Sequence, residues 1–150
     1  MNFQTSEVDI TKIILWLAVG LVIGYLLWWA APDFFTSRED PRSKEFLAKV
    51  AAQINQSVPV MIDKETELLP AGVAEGMLIY NYRLINFSAA QLDHKRFAAA
   101  ARQQVTQGAC SRPETRDGFF KKGVTLRYSY YDKDKQPIAT VNVKPADCGF

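Results

Sequence analysis

Two cysteines, a single histidine and a scatter of carboxylates are the side chains of this 150-residue sequence with the reactivity to do chemistry. Cys110 and Cys148 stand 38 residues apart. A catalytic dithiol needs its pair close in sequence, normally with two residues between. A zinc site needs about four ligands, and His94 raises the cysteine and histidine total only to three. The spacing therefore predicts one structural disulfide between Cys110 and Cys148. It would staple the end of a helix to the tail after the last strand, contributing roughly 4 kcal/mol on a chain-entropy account. His94 follows Asp93, but neighbouring helical residues point in different directions, so a solvated first turn is expected there. No GxSxG, HExxH or glycine loop leading to a lysine occurs. The carboxylates are spread evenly, and pairs such as Glu65 with Glu67 or Asp132 with Asp134 stand out only by selection. No catalytic residue, no metal and no cofactor are expected, and the chain does not read as an enzyme.

Binding chemistry has a clearer signature. Leu78, Tyr80 and Tyr82 form one alternating phrase and Leu126, Tyr128 and Tyr130 another, each after a glycine, Gly76 or Gly123. Period-two spacing puts the three residues of each phrase on one face of a strand. Paired tyrosines pack well across sheets, which accounts for the phrase by stability alone. The functional reading is an aromatic face for a peptide or glycan, open if the helices cover the opposite side. Arg83, Arg127 and Lys144 are the exposed charges expected beside it. From Ser37 onward there are 17 basic and 13 acidic residues. Lys95 with Arg96 and Lys121 with Lys122 are pairs rather than a stripe, so no nucleic-acid partner is expected.

These residues need a scaffold, and the composition divides it in two. The 48% apolar fraction excludes a disordered tail, but nineteen residues from Ile13 to Ala31 hold seventeen apolar side chains, two glycines and no charge. At about 1.5 Å per residue such a helix spans roughly 28 Å, one crossing of a bilayer. Tyr25, Trp28 and Trp29 crowd the end where signal cleavage wants small residues, so the segment is expected to stay as a transmembrane helix. The flanking charges alone would leave the following domain in the cytoplasm. The cysteine pair argues for an oxidising compartment and a periplasmic domain. Gly20 and Gly24 form a GxxxG face through which two copies of the helix could pack as a homodimer.

The expected organisation is a tail over 1–12, the transmembrane helix over 13–31, a linker over 32–40 and a soluble domain over 41–150, about 42% apolar outside the span. Helical spacing of Phe46, Leu47, Val50, Ala51 and Ile54 predicts a helix over 42–56. A short strand at 60–62 follows, then a loop through Pro70 and Gly72, and a long strand over 77–87. Ser88 or Asp93 caps a helix that Gly108 closes. Residues 113–122 leave room for one more helical turn, and strands over 124–132 and 138–143 form a hairpin. The order α-β-β-α-β-β with short connections predicts an α+β domain: an antiparallel sheet of about four strands with two to three helices on one face.

The succession Thr66, Leu68, Leu78, Tyr80, Tyr82, Cys110, Gly123, Leu126, Tyr128, Tyr130, Asp132, Asp147 and Cys148 resembles small single-pass bacterial envelope proteins with a disulfide-bearing α+β periplasmic domain. A fainter similarity is to the pilotins of secretion systems, lipid-anchored α+β proteins that guide an outer-membrane channel subunit. The resemblance implies a bacterial inner-membrane protein whose periplasmic domain binds an envelope protein as an accessory or assembly factor. The alternative is a small periplasmic enzyme acting on the cell wall or a metabolite. A cleft with two convergent carboxylates would favour the enzyme, and a shallow apolar groove would favour binding.

Overall fold

The computed structural model describes residues 39–150. The tail over 1–12, the predicted span over 13–31 with Gly20 and Gly24, and the linker as far as residue 38 lie outside the described residues.

The first helix, α1, runs Lys44–Asn55, and the Ser43 side chain caps it by accepting from the Phe46 N–H at 3.2 Å. Its apolar positions recur every three to four residues and bury Leu47 and Ala51. Strands β1 (Val60–Met61), β2 (Thr66–Ala74) and β3 (Met77–Leu84) follow. Then come α2 (His94–Ser111), the short α3 (Pro113–Gly118), and strands β4 (Thr125–Tyr131) and β5 (Pro137–Val143). Short 3-10 turns occupy Ala89–Gln91, Phe120–Lys122 and Pro145–Cys148.

The domain is α+β as expected, but the sheet has five strands in the order β1-β2-β3-β4-β5 and is mixed. All neighbours are antiparallel except β3 and β4, which run parallel from Met77 opposite Thr125 to Arg83 opposite Tyr131. Two features correct the predicted four-stranded antiparallel sheet. The segment read as a loop through Pro70 and Gly72 is the nine-residue β2, whose bulge between Leu69 and Gly72 absorbs the proline. Asn55 at the end of α1 closes on this bulge, accepting from the Ala71 N–H at 2.7 Å and donating to the Ala71 carbonyl at 3.1 Å. From the bulge's other side, Asn81 donates to the Pro70 carbonyl at 2.7 Å. The second feature is the connection from β3 to β4. It carries α2 and α3 before returning to the end of the sheet where β3 began, and a crossover of that length joins parallel strands.

Two glycines start the parallel pair in step. Gly76 (φ +65°) turns β2 into β3 and Gly123 (φ +78°) turns the last 3-10 turn into β4. The Gly76 N–H donates to the Arg42 carbonyl and its own carbonyl accepts from the Thr125 N–H, both at 2.9 Å. A Cβ at Gly123 would be in ordinary contact with Arg42 Cδ at 3.4 Å, so it is the left-handed backbone that favours glycine there.

One face of the sheet holds the core. Val73, Leu78, Leu126 and Val143 cross it in one row and Tyr80, Tyr128 and Val141 in the next. Against these pack Leu47 and Ala51 of α1, Ala101 and Ala109 of α2, and Phe120 and Val124 between α3 and β4. Gly108 does not end α2 as expected. The helix continues to Ser111 and includes Cys110 in its last turn.

Candidate functional site

The two tyrosine phrases meet because β3 and β4 are parallel and in register: Tyr80 lies opposite Tyr128 and Tyr82 opposite Tyr130. The rings stack into a ladder, with centroids 5.5 Å apart for Tyr80 and Tyr128, 6.3 Å for Tyr82 and Tyr128, and 5.4 Å for Tyr82 and Tyr130. The ladder stands on the helix-covered face of the sheet, not on the opposite face that an open aromatic platform required. Phe97 of α2 meets Tyr130 edge-on at 5.2 Å.

The helices leave the ladder half covered. A cavity of about 530 Å³ remains, with the four tyrosines as its floor and Phe97, Ala100, Gln104, Val105 and Gly108 of α2 along one wall. Ala100, Ala101, Gly108 and Ala109 leave room in that wall, and a Cβ at Gly108 would meet nothing within 4 Å. Ile62 forms a rim and is 53% exposed, as are Val60 at 43% and Met61 at 44% on the edge strand beside it. Three consecutive exposed apolar residues on a sheet edge are unusual for a free surface.

Burial raises the pKa of Tyr80, Tyr82 and Tyr128, and the Arg112 guanidinium acts on all three in the opposite sense. Burial pushes Tyr130 up to about 12. The four phenols are neutral at physiological pH, and among the described residues none of their hydroxyls has a hydrogen-bond partner in the protein. They are free to donate into the groove. Arg112 and Asp63 are the charged residues that line it.

The groove is held at both ends of α2. Asp93 caps the helix by accepting from the Arg96 N–H at 3.1 Å, while the Ser88 also expected as a cap precedes the 3-10 turn Ala89–Gln91. His94 is exposed as expected, and its Nε2 donates to the Ala89 carbonyl oxygen at 2.9 Å as the N–H tautomer. Asp132, only 2% exposed, accepts from the backbone N–H groups of Ala89, Asp134 and Gln136 at 2.7–2.8 Å, joining the approach to α2 to the β4–β5 turn. At the other end Cys110 and Cys148 form a disulfide with a Cα separation of 5.2 Å.

Arg83 and Arg127 are not in this site. They alternate with the tyrosines and so project from the other face of the sheet. There Arg83 Nη2 approaches Glu67 Oε2 at 2.6 Å across β2 and β3, an ion pair without hydrogen-bond alignment that leaves Arg83 Nε buried and unpartnered. Arg127 donates through Nε to Asn142 Oδ1 at 3.0 Å. Lys144 lies past the end of β5, its N–H donating to Asp147 Oδ2 at 2.8 Å. The sequence missed Arg112, which no motif marked. It also missed the Val60–Ile62 edge, legible as an apolar run but read as an ordinary strand. No cluster of potential metal ligands exists among the described residues.

A sheet carrying its helices on one face, a disulfide between the second long helix and the C-terminal turn, and a groove over paired tyrosines define a small α+β domain with known structural counterparts. A "putative secreted protein" of Pseudomonas aeruginosa matches with a TM-score of 0.61 at 23% identity, covering 75% of this chain and 98% of that one. The type 2 secretion pilotin of Vibrio vulnificus matches with a TM-score of 0.56 at 10% identity, covering 71% and 92%. The type II secretion pilotin of Vibrio cholerae matches at 0.52 and 13%, covering 70% and 91%. At these identities the likeness establishes the fold. The chain itself belongs to the family described as "Putative quorum-sensing-regulated virulence factor", whose model matches residues 36–149. No curated protein matches it in sequence.

Proposed function

We propose that this protein is a membrane-anchored periplasmic interaction module, an accessory or assembly factor that holds a segment of an envelope protein in the tyrosine groove. The observation that carries this reading is the groove itself: half-open, floored by four tyrosine hydroxyls without a partner among the described residues, walled by a largely apolar stretch of α2 and continuous with an exposed apolar edge. Its single carboxylate, Asp63, and the lack of any histidine in its lining favour binding over catalysis. The pilotin fold of the two Vibrio proteins supports an envelope role. The apolar run over 13–31 supports the anchor, and the disulfide supports an oxidising compartment. In this reading the Gly20 and Gly24 face serves self-association in the membrane, which Gly20→Leu should weaken.

The test is a photo-crosslinking residue placed at Gln104, on the groove wall, and separately at Thr140, on the opposite sheet face. In native membranes Gln104 should give a discrete adduct with an envelope protein and Thr140 none. Equal adducts from both positions, or an adduct with a cytoplasmic protein, would overturn the reading. A reporter active only outside the cytoplasm, fused after Phe150, should be active; silence from a folded fusion contradicts a periplasmic domain.

A further inference from the structure

The groove carries an electrostatic signature. Of its two charged residues, Asp63 is already satisfied: its Oδ1 accepts from the backbone N–H groups of Glu65 and Thr66, both at 2.8 Å. Arg112 is not, since among the described residues its guanidinium has no ion-pair or hydrogen-bond partner. The groove therefore carries one charge of each sign, and among the described residues only Arg112 is left without a protein partner. It sits at a defined place, because α2 runs antiparallel to the tyrosine ladder. Phe97 in the first turn meets Tyr130, and Arg112, just past the last turn, lines the groove toward the opposite end of the ladder. Ile62 and Asp63 belong to the other end, where Thr66 pairs with Leu84.

The geometry of the floor adds a second constraint. The tyrosine rings stack nearly parallel, with interplanar angles of 18°, 5° and 24°, so the floor offers ring edges and hydroxyls rather than open ring faces. A flat sugar or base finds no π surface there on which to lie. A peptide finds hydroxyl donors for its carbonyls below and apolar contact with Phe97, Ala100 and Val105 beside it.

We propose that the groove takes an apolar peptide segment bearing an acidic side chain, whose carboxylate pairs with Arg112 while its apolar residues run past the tyrosines toward Ile62 and the β1 edge. This deepens the binding role proposed above and rests on it. Arginine suits the task because its planar donors hold a carboxylate bidentately. The disulfide at Cys110, two residues before Arg112, fixes the backbone from which that side chain extends.

The test uses the full-length chain in lipid nanodiscs and fluorescent, amidated peptides of sequence Ala-Leu-Ala-X-Ala-Leu-Ala, with X as Glu, Gln or Lys. Anisotropy is read against empty nanodiscs. The Glu peptide should bind about tenfold more tightly than the Gln peptide, and Lys should be weakest. Arg112→Gln should erase the preference, so that the Glu and Gln peptides bind the variant equally. Arg112→Lys should restore part of it. Gly108→Leu, which fills the groove, should abolish binding of all three. If Glu and Gln bind equally to the natural chain and Gly108→Leu still blocks both, the groove holds peptides but the acidic specificity is wrong. If no peptide binds above the empty-disc signal, or Gly108→Leu has no effect, peptide binding at this groove fails as well.

Discussion

Asp132 shows how much one side chain can organise. Its carboxylate accepts from the Ala89, Gln136 and Asp134 N–H groups, and these bonds, led by Ala89 and opposed by burial, hold its pKa below the ordinary carboxylate value. A depressed folded pKa contributes stability that is present above the unfolded value of about 3.9 and is lost as pH falls through the folded one. Asp132→Asn should therefore lower the thermal midpoint near neutral pH and narrow its gap to the natural chain in acid, as calorimetry over an acid series would show. The tyrosines carry the opposite sign. Their folded pKa values are raised by burial, so their contribution is intact below the unfolded value of about 10 and is lost as pH rises toward the folded values, about 12 for Tyr130. Ultraviolet titration should show the four ladder tyrosines ionising only as tertiary circular dichroism disappears. At this scale the sequence was readable where a pattern repeats. The Leu-x-Tyr-x-Tyr phrase placed Tyr80, Tyr82, Tyr128 and Tyr130 together. Arg112 carried no pattern, because its importance comes from lacking a partner, and that is a property of the folded surroundings.

Element boundaries followed the sequence where local physics dominates. The periodicity from Phe46 to Ile54 marked α1, and alternation marked β3, β4 and β5. Local reading failed where tertiary contacts override it. Pro70 and Gly72 announce a loop, yet Asn55 and Asn81 hold them in a bulge within β2. Gly108 announces a helix end, yet α2 continues to Ser111, with its last turn tied down by the Cys110–Cys148 disulfide. The open space beside Gly108 makes a prediction about the element. Gly108→Leu replaces a poor helix former with a good one where a Cβ meets nothing within 4 Å, so it should hold or raise stability, by roughly 1 kcal/mol at most. The same substitution should eliminate groove binding, separating occupancy from stability. Cys148→Ser acts in reverse. It opens a loop of 38 residues and should cost about 2–4 kcal/mol in a urea melt. It should also release the last turn of α2, weakening any ligand held at Arg112 more than one held by the tyrosines alone.

For the molecule as a whole, the strand pairing decides what the domain can do. The sequence supported an α+β class with a stapled C-terminus, and it supported tyrosines that share a face. It did not reveal which face, since that depends on the crossover through α2 and α3 bringing β4 parallel to β3. Had the sheet been antiparallel with the tyrosines outward, Tyr82 and Tyr130 would form an open platform. The observed topology puts them under α2, in a groove with a polar floor, a largely apolar wall and, among the described residues, an unpartnered Arg112 at one end. Arg83 and Arg127, expected beside them, belong to the other surface.

Occupancy of the groove in the cell tests the account most directly. With Gln104→Cys and, separately, Thr140→Cys introduced into the full-length chain, maleimide labelling rates are compared between native membranes and the purified protein. A groove filled by a partner segment predicts that position 104 labels slowly in membranes and rapidly once purified, while position 140 labels equally in both. Equal labelling of position 104 in both preparations, with the protein folded and expressed at its natural level, would contradict the groove as the working surface of this protein.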